Sequence, residues 1–248
     1  MAAGALLVVG MTAQARVFDF NSESLAAYLR GQYEQATDDT GPFAKSSGAQ
    51  SNFSDTYPYL ASYEFGFVYA TSAVNLRFGF EILKPSDLKG VAGKDAAGNT
   101  LFTVDNNISG YIPKVGLEFN LKHWTQSRLF AHVMAGTATV TMQNSYTMTA
   151  AGTAAYPTVS DFREEVKGTA LMYEYGVGFE TLLSDTTTFA FDIGQRNLEL
   201  TSLNHDLAVT NFQGTVGVGD KATFDNGQAR SLNLSGLAAS IMLRFWIK

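Results

Sequence analysis

The sequence predicts an all-β fold, an eight-stranded antiparallel up-and-down barrel that crosses a membrane through its strands. Three observations lead there. Apolar and polar residues alternate with period two along successive stretches, with no sustained 3.6-residue repeat. The connections between stretches alternate between short turns and polar loops of roughly 20 residues, a length that ordinary soluble domains seldom carry. The apolar face is rich in rings, and the opposite face mixes glycine with charge.

The clearest stretch is Tyr63 to Ile82. Tyr63, Phe65, Phe67 and Tyr69 share one face, and after Thr71-Ser72-Ala73 the pattern resumes with Val74, Leu76, Phe78, Phe80 and Ile82. Because strand side chains alternate faces, this reads as a hairpin, strands two and three. Ser24 to Tyr33 also alternates, with Leu25, Leu29 and Tyr33 against Tyr28, Arg30 and Gln32, and reads as strand one, although the same residues fit an amphipathic helix. Strand four sets Tyr111, Val115, Leu117, Phe119 and Leu121 against Lys114, Gly116 and Glu118. Strand five starts near Arg128 and has the weakest facing, Leu129, Ala131, Val133 and Ala135 against Phe130, His132, Met134 and Gly136. Strand six places Leu171, Tyr173, Tyr175, Val177 and Phe179 opposite Glu174, Gly176, Gly178 and Glu180. Strand seven has Phe189, Phe191 and Ile193 against Asp192, Gly194 and Arg196, after which the phase slips and suggests a bulge. The last strand sets Leu237, Ile241, Leu243, Phe245 and Ile247 against Gly236, Ser240, Met242 and Arg244. Long loops are expected at about 37–57, 85–107, 144–166 and 204–230, all at one end of the barrel.

Ala13-Gln14-Ala15 has the small-x-small form of a signal-peptidase site after an apolar segment, so residues 1–15 read as a signal peptide and 16–248 as the barrel. The absence of cysteine rules out a disulfide framework and a thiolate metal site. A net charge of -6 without a basic stripe argues against a nucleic-acid partner. No apolar run reaches the roughly 18–20 residues that a spanning helix needs, so a membrane role falls to strands.

Side-chain volume decides which face is inside. With the apolar face inward, thirteen rings (Tyr63, Phe65, Phe67, Tyr69, Phe78, Phe80, Phe119, Tyr173, Tyr175, Phe179, Phe189, Phe191 and Phe245) would enter a lumen only just wide enough for ordinary side chains. The glycines would then stand on the solvent face, where they weaken a strand without need. Turned inside out, the rings meet lipid and the glycines make room for Arg30, Glu64, Arg77, Glu81, Lys114, Glu118, Glu174, Glu180, Asp192, Arg196 and Arg244. Five bases against six acids is the near balance that burial requires, because an unpaired ion away from water costs several kcal/mol. A salt-bridged filling that specifies the barrel is the plain reading of this set, and an ion path the sharper one. Tyr57, Tyr59, Tyr111 and Tyr146 toward the long loops, and Tyr69, Trp124, Phe245 and Trp246 toward the short turns, fit two aromatic girdles at the membrane interfaces.

On alternation, loop asymmetry and the ending Met242-Leu243-Arg244-Phe245-Trp246-Ile247-Lys248, the chain resembles the small bacterial outer-membrane barrels of the OmpA, OmpX and OmpW kind. The resemblance implies an outer-membrane location, outer-membrane lipid, lipopolysaccharide and the barrel-assembly machinery as partners, an extracellular ligand reached through the loops, and a monomer. It covers the barrel alone and implies no peptidoglycan binding. A structural or surface-interaction role comes first, a channel for small or apolar solutes second. A lipid A-modifying enzyme comes third, because the deacylase branch uses a His-x-Ser pair and the residues two after His123, His132 and His205 are Thr125, Met134 and Leu207. No cofactor or metal site is expected, since no histidine has a second histidine or a cysteine beside it in sequence.

Overall fold

The computed structural model describes residues 24–36, 52–53, 59–84, 87–223 and 229–247. The expected signal peptide, most of the first long loop and Tyr57 lie outside these residues, as does the side chain of Tyr59.

Eight strands form the wall: β1 (Ser24–Ala36), β2 (Tyr59–Ala70), β3 (Val74–Leu83), β4 (Thr100–His123), β5 (Ser127–Met148), β6 (Phe162–Ser184), β7 (Thr187–Leu200) and β8 (Gly236–Ile247). Each pairs antiparallel with the next, and β8 returns to β1 along a register from Leu25↔Ile247 to Ala36↔Gly236. The ring is closed, so its backbone groups are paired without an edge, which is the condition for lying in lipid. The first segment is a strand and not a helix.

The facing is inverted relative to a soluble barrel. Tyr63 is 64% exposed and Leu171 68%, whereas Arg77 and Arg244 are fully buried. In β5, Phe130, His132 and Met134 point in and Val133 points out, which settles the strand whose alternation is weakest. Apart from Gly31, the glycines of the eight wall strands occupy the crowded face. A Cβ on Gly79 would lie 2.5 Å from both the Glu64 carboxylate and the Tyr28 hydroxyl, and one on Gly176 2.4 Å from the Ile193 carbonyl.

The apolar exterior has a definite height. On β4 it runs from Tyr111 to Leu121 and on β6 from Leu171 to Leu183. The ten residue steps on β4 span about 33 Å along the strand and the twelve on β6 about 40 Å, or about 25–30 Å once the strands are tilted. Beyond this band β4, β5 and β6 continue toward the long-loop end, and there the facing changes sense. Outward positions become Asp105, Asn107, Ser109, Thr141, Gln143, Ser145, Arg163 and Lys167, while Val104, Ile108, Val140, Met142 and Val166 turn inward and are buried. Within the band the barrel is inside out; above it, it is a soluble sheet with an apolar core.

That change corrects several sequence expectations. Residues 85–107, 144–166 and 204–230 are not plain loops. They contain a strand at Leu88–Lys94 paired with β4, the ends of β4, β5 and β6, a short helix at Ala150–Ala155 capped by Thr149, and a small hairpin of Val209–Asn211 with Gly214–Val216. Once the outer face meets water, threonine and aspartate outside with valine inside is ordinary strand alternation, and its polar composition hides its period. The bulge after Arg196 is absent. Arg196, Leu198 and Leu200 all point inward in unbroken register; the interior changes from charged to apolar, and that imitates a phase slip. Trp246 and Tyr146 are not girdle residues. Trp246 points inward, 5% exposed, and Tyr146, 2% exposed, lies in the apolar core above the band. Tyr69, Tyr111, Trp124 and Phe245 are exposed on the outer wall.

Val177, midway along the β6 band, should tolerate charge poorly: Val177→Arg is expected to cost about 2–4 kcal/mol in lipid. Ser145→Arg, above the band, should cost less than about 0.5 kcal/mol. Urea unfolding from lipid vesicles measures both, and equal losses would contradict the position of the band.

Candidate functional site: the lumen and its mouth

The lumen is filled in layers. At the short-turn end an apolar layer joins Ala26, Val68, Ala70, Phe130, Ala190, Met242 and Trp246. The Trp246 indole donates to Thr188 Oγ1 at 3.0 Å, and Thr188 in turn donates to Glu180, so this layer is tied to the charges above it.

All eleven charged residues that the sequence pattern turns inward lie in the lumen, each at most 5% exposed, and they form one connected network. Glu118 accepts Arg244 at 2.5 and 3.0 Å and Arg128 at 2.9 Å, with Arg77 at 3.7 Å. Glu180 faces Arg128 and Arg244 at 2.5 and 3.0 Å. Arg77 bridges to Glu64 at 2.8 Å, and Glu64 also meets Arg30 at 3.1 Å and Lys114 at 2.7 Å. Lys114 continues to Glu81 at 2.6 Å, and Arg196 joins Glu81 at 2.5 Å to Glu34 at 3.1 Å. Glu81 thus pairs with Lys114 and Arg196, and not with Arg77 on its own strand.

Arg128 and Glu34 were missed by the sequence reading, one beside a turn and the other just past Tyr33. Both fall on the same period-two positions as their neighbours, His132 and Phe130 for Arg128, Arg30 and Gln32 for Glu34. Their inclusion gives six bases and seven carboxylates. His132 comes within 3.5 Å of Glu174, and the ligand atoms of His132, Glu174 and Asp192 lie within 4.8 Å of one another. Sequence spacing conceals this group because it comes from three strands. Its cation, however, is already supplied: Arg30 Nη2 reaches Glu174 at 2.7 Å and Asp192 at 2.8 Å, and Lys114 and Arg196 stand close to the other Glu174 oxygen. A metal ion would have to share these carboxylates with three fixed cations, so the group is best described as part of the ion-pair network.

Above the network, the segment between β7 and β8 enters the mouth. Leu203, Ala222, Leu232 and Leu234 pack against Leu198, Leu200, Val166, Val140 and Ile108. Phe212, at the tip of the small hairpin, closes an aromatic cluster, 5.0 Å from Phe102 and 5.3 Å from Phe162. A second buried polar group pins the segment: Arg230 donates to Glu164 at 2.7 Å, Asn144 donates to the same oxygen at 3.1 Å, and His205 lies 3.8 Å away on the other. Burial pushes the Glu164 carboxyl up, but the Arg230 charge together with the hydrogen bonds from Arg230 and Asn144 outweighs it and holds the group below its ordinary range. Burial pushes the His205 imidazole down.

Among solved structures, OprG from Pseudomonas aeruginosa matches at 14% identity with a TM-score of 0.48, covering 92% of this chain and 98% of its own. Ail of Yersinia pestis matches at 10% identity and a TM-score of 0.44, over 92% and 99%. Neisserial surface protein A matches at 8% and 0.38, over 89% and 96%. The chain's own strand pairing, a closed antiparallel ring of eight strands, carries the fold. No protein-family model matches the chain, and no curated protein sequence does.

Two outcomes are expected of this interior. Glu118→Ala, which strips a carboxylate from three guanidinium groups, should destabilise the barrel by about 3–5 kcal/mol, whereas Lys89→Ala on the surface should change it by less than about 0.5 kcal/mol; unfolding midpoints in detergent compare them. Both His205 and Glu164 bind protons less readily folded than unfolded, so each contributes stability at high pH that is lost as pH falls. For His205 the loss sets in below its ordinary 6.5, and for Glu164 below its ordinary 4.5. The hydrogen-exchange protection of residues 203–222, taken relative to the intrinsic exchange rate at each pH, should therefore fall between pH 7.5 and 5.5, and His205→Phe should remove that dependence.

Proposed function

We propose that this chain is exported and inserted in a bacterial outer membrane as a monomeric barrel with a structural or surface-interaction role, acting through the structure raised above the membrane. One observation carries the reading: among the described residues, buried side chains occupy the lumen at every level. An ion-pair network occupies the middle, an apolar layer seals the short-turn end, and the segment between β7 and β8 packs into the mouth. A path for solutes would need space or mobile polar groups at each of these levels. The polar wall and hairpin beyond the band are the surface this leaves for an extracellular ligand, and the period-two exterior together with Ala13-Gln14-Ala15 supports export to a membrane entered through strands.

Planar-bilayer recording tests this directly. The purified barrel should give no steady conductance. Discrete openings that change with Glu118 or Arg196 substitution would replace this reading with a channel, and altered lipid A in a heterologous outer membrane would replace it with an enzyme.

A further inference from the structure

Of the seven lumen carboxylates, six accept hydrogen bonds from the network. Glu64 receives Arg30 and Arg77, Glu81 receives Lys114 and Arg196, Glu118 receives Arg128 and Arg244, Glu174 receives Arg30, Glu180 receives Arg128, and Asp192 receives Arg30 and Ser240. Glu34 differs. Only 1% exposed, it pairs with a single cation, Arg196 at 3.1 Å, which it shares with Glu81 and Glu174, and neither of its oxygens accepts a hydrogen bond among the described residues. Gln32, two residues earlier on the same inward face and 5% exposed, makes no hydrogen bond through either atom of its amide.

These two residues sit at a seam. Gln32 is paired with Ser62 and Ser240, whereas Glu34 is paired with Leu60 and Ala238, and Leu60 belongs to the apolar layer against which the segment between β7 and β8 packs. Their side chains leave β1 about 7 Å apart on one face, close enough for both to reach one point. Three oxygens there, Glu34 Oε1 and Oε2 and Gln32 Oε1, have no donor. The charge count agrees: six bases against seven carboxylates leave the lumen one negative charge in excess, and Glu34 is the carboxylate with the least compensation. We propose that Gln32 and Glu34 bind one monovalent cation of the sodium or potassium kind beneath the segment that closes the mouth. The site lies inside the filled lumen and rests on that part of the reading above.

Charge and the number of free oxygens select the occupant. A divalent ion would turn one excess negative charge into one excess positive charge, which is as costly to bury. A proton would neutralise Glu34 but satisfy no more than one further oxygen, whereas an alkali ion takes several oxygens at once. A protonated His132 would also restore the balance, yet Glu174 beside it already has Arg30, Lys114 and Arg196 within 3.7 Å. The compensation is needed at Glu34.

Urea unfolding of the barrel folded in detergent with sodium, potassium or N-methylglucamine chloride, at one pH and one ionic strength, tests the proposal. N-methylglucamine is too bulky for the site and keeps the screening constant. The parent should be more stable in sodium or potassium, and each tenfold rise in that ion above its Kd should raise the folding equilibrium constant about tenfold. E34Q removes the excess charge and keeps the shape, so it should lose the ion dependence and, in N-methylglucamine, be at least as stable as the parent, which loss of a merely structural carboxylate would not allow. Q32L keeps the charge and loses one oxygen, so its dependence should move to higher salt. E199Q, on the exposed face of β7, should behave as the parent does. Each variant is first checked for heat-modifiable migration as a closed barrel, and thallium(I) soaked into crystals of the parent should give one anomalous peak beside Glu34 whether or not E34Q folds. Parent stability indifferent to the identity of the cation, ion dependence retained in E34Q, no thallium peak at Glu34, or stabilisation by acid in place of either ion overturns the proposal. Failure of the filled-lumen reading would appear instead as bilayer conductance with the ion-linked stability intact.

Discussion

Charge balance in a space closed to bulk water is the constraint on which the rest of this barrel depends. Six bases and seven carboxylates lie in a lumen walled by eight strands, and any one of them left alone would cost several kcal/mol. The network answers this by sharing. Glu118 serves three guanidinium groups, Glu64 three cations, and Arg30 three carboxylates. Shared ions fix the strands that carry them, because the partners come from nearly every part of the wall. The glycines follow from the same need, since the Glu64 carboxylate occupies the space that a side chain at residue 79 would fill. A buried network of this kind is weak evidence for high stability; what it contributes here is one admissible arrangement of eight strands.

A second consequence concerns where the interior stops being charged. The membrane lets the outer face be apolar for only about 25 Å, and beyond it water takes over the outside. The chain responds by exchanging the two faces in place, within continuous strands and without loss of register. At the same height along β7 the inward residue changes from Arg196 to Leu198. The apolar interior above that level gives the segment between β7 and β8 something to pack against, and this is how the mouth comes to be closed. Facing, plug and the proposed absence of conduction thus share one cause.

Much of this was legible in the sequence, and for a definite reason. Period two is a local property, so strands such as Tyr63–Tyr69 and Leu171–Phe179 announced themselves, and volume alone decided which side of them was inside. What stayed hidden was non-local or depended on the surroundings. The ends of β4, β5 and β6 look like loops because a strand in water has a different composition from a strand in lipid while keeping the same period. The pairing of Glu81 with Arg196 across the lumen is beyond sequence adjacency. Trp246 reads as an interfacial anchor by residue type, yet its neighbours Phe245 and Ile247 take the outward positions and alternation sends it inside.

The inversion of facing can be read residue by residue, since the chain contains no cysteine and single labels can be placed at will. Spin labels stepped along β6 from Arg163 to Leu183, in lipid, would report collision with oxygen and with a water-soluble nickel chelate. The account predicts oxygen access at alternate positions from Leu171 to Leu183, nickel access at Arg163, Glu165, Lys167 and Thr169, and neither at Val166, Glu174 or Glu180. Nickel access at Glu174 and Glu180 would mean a water-filled lumen and would contradict it.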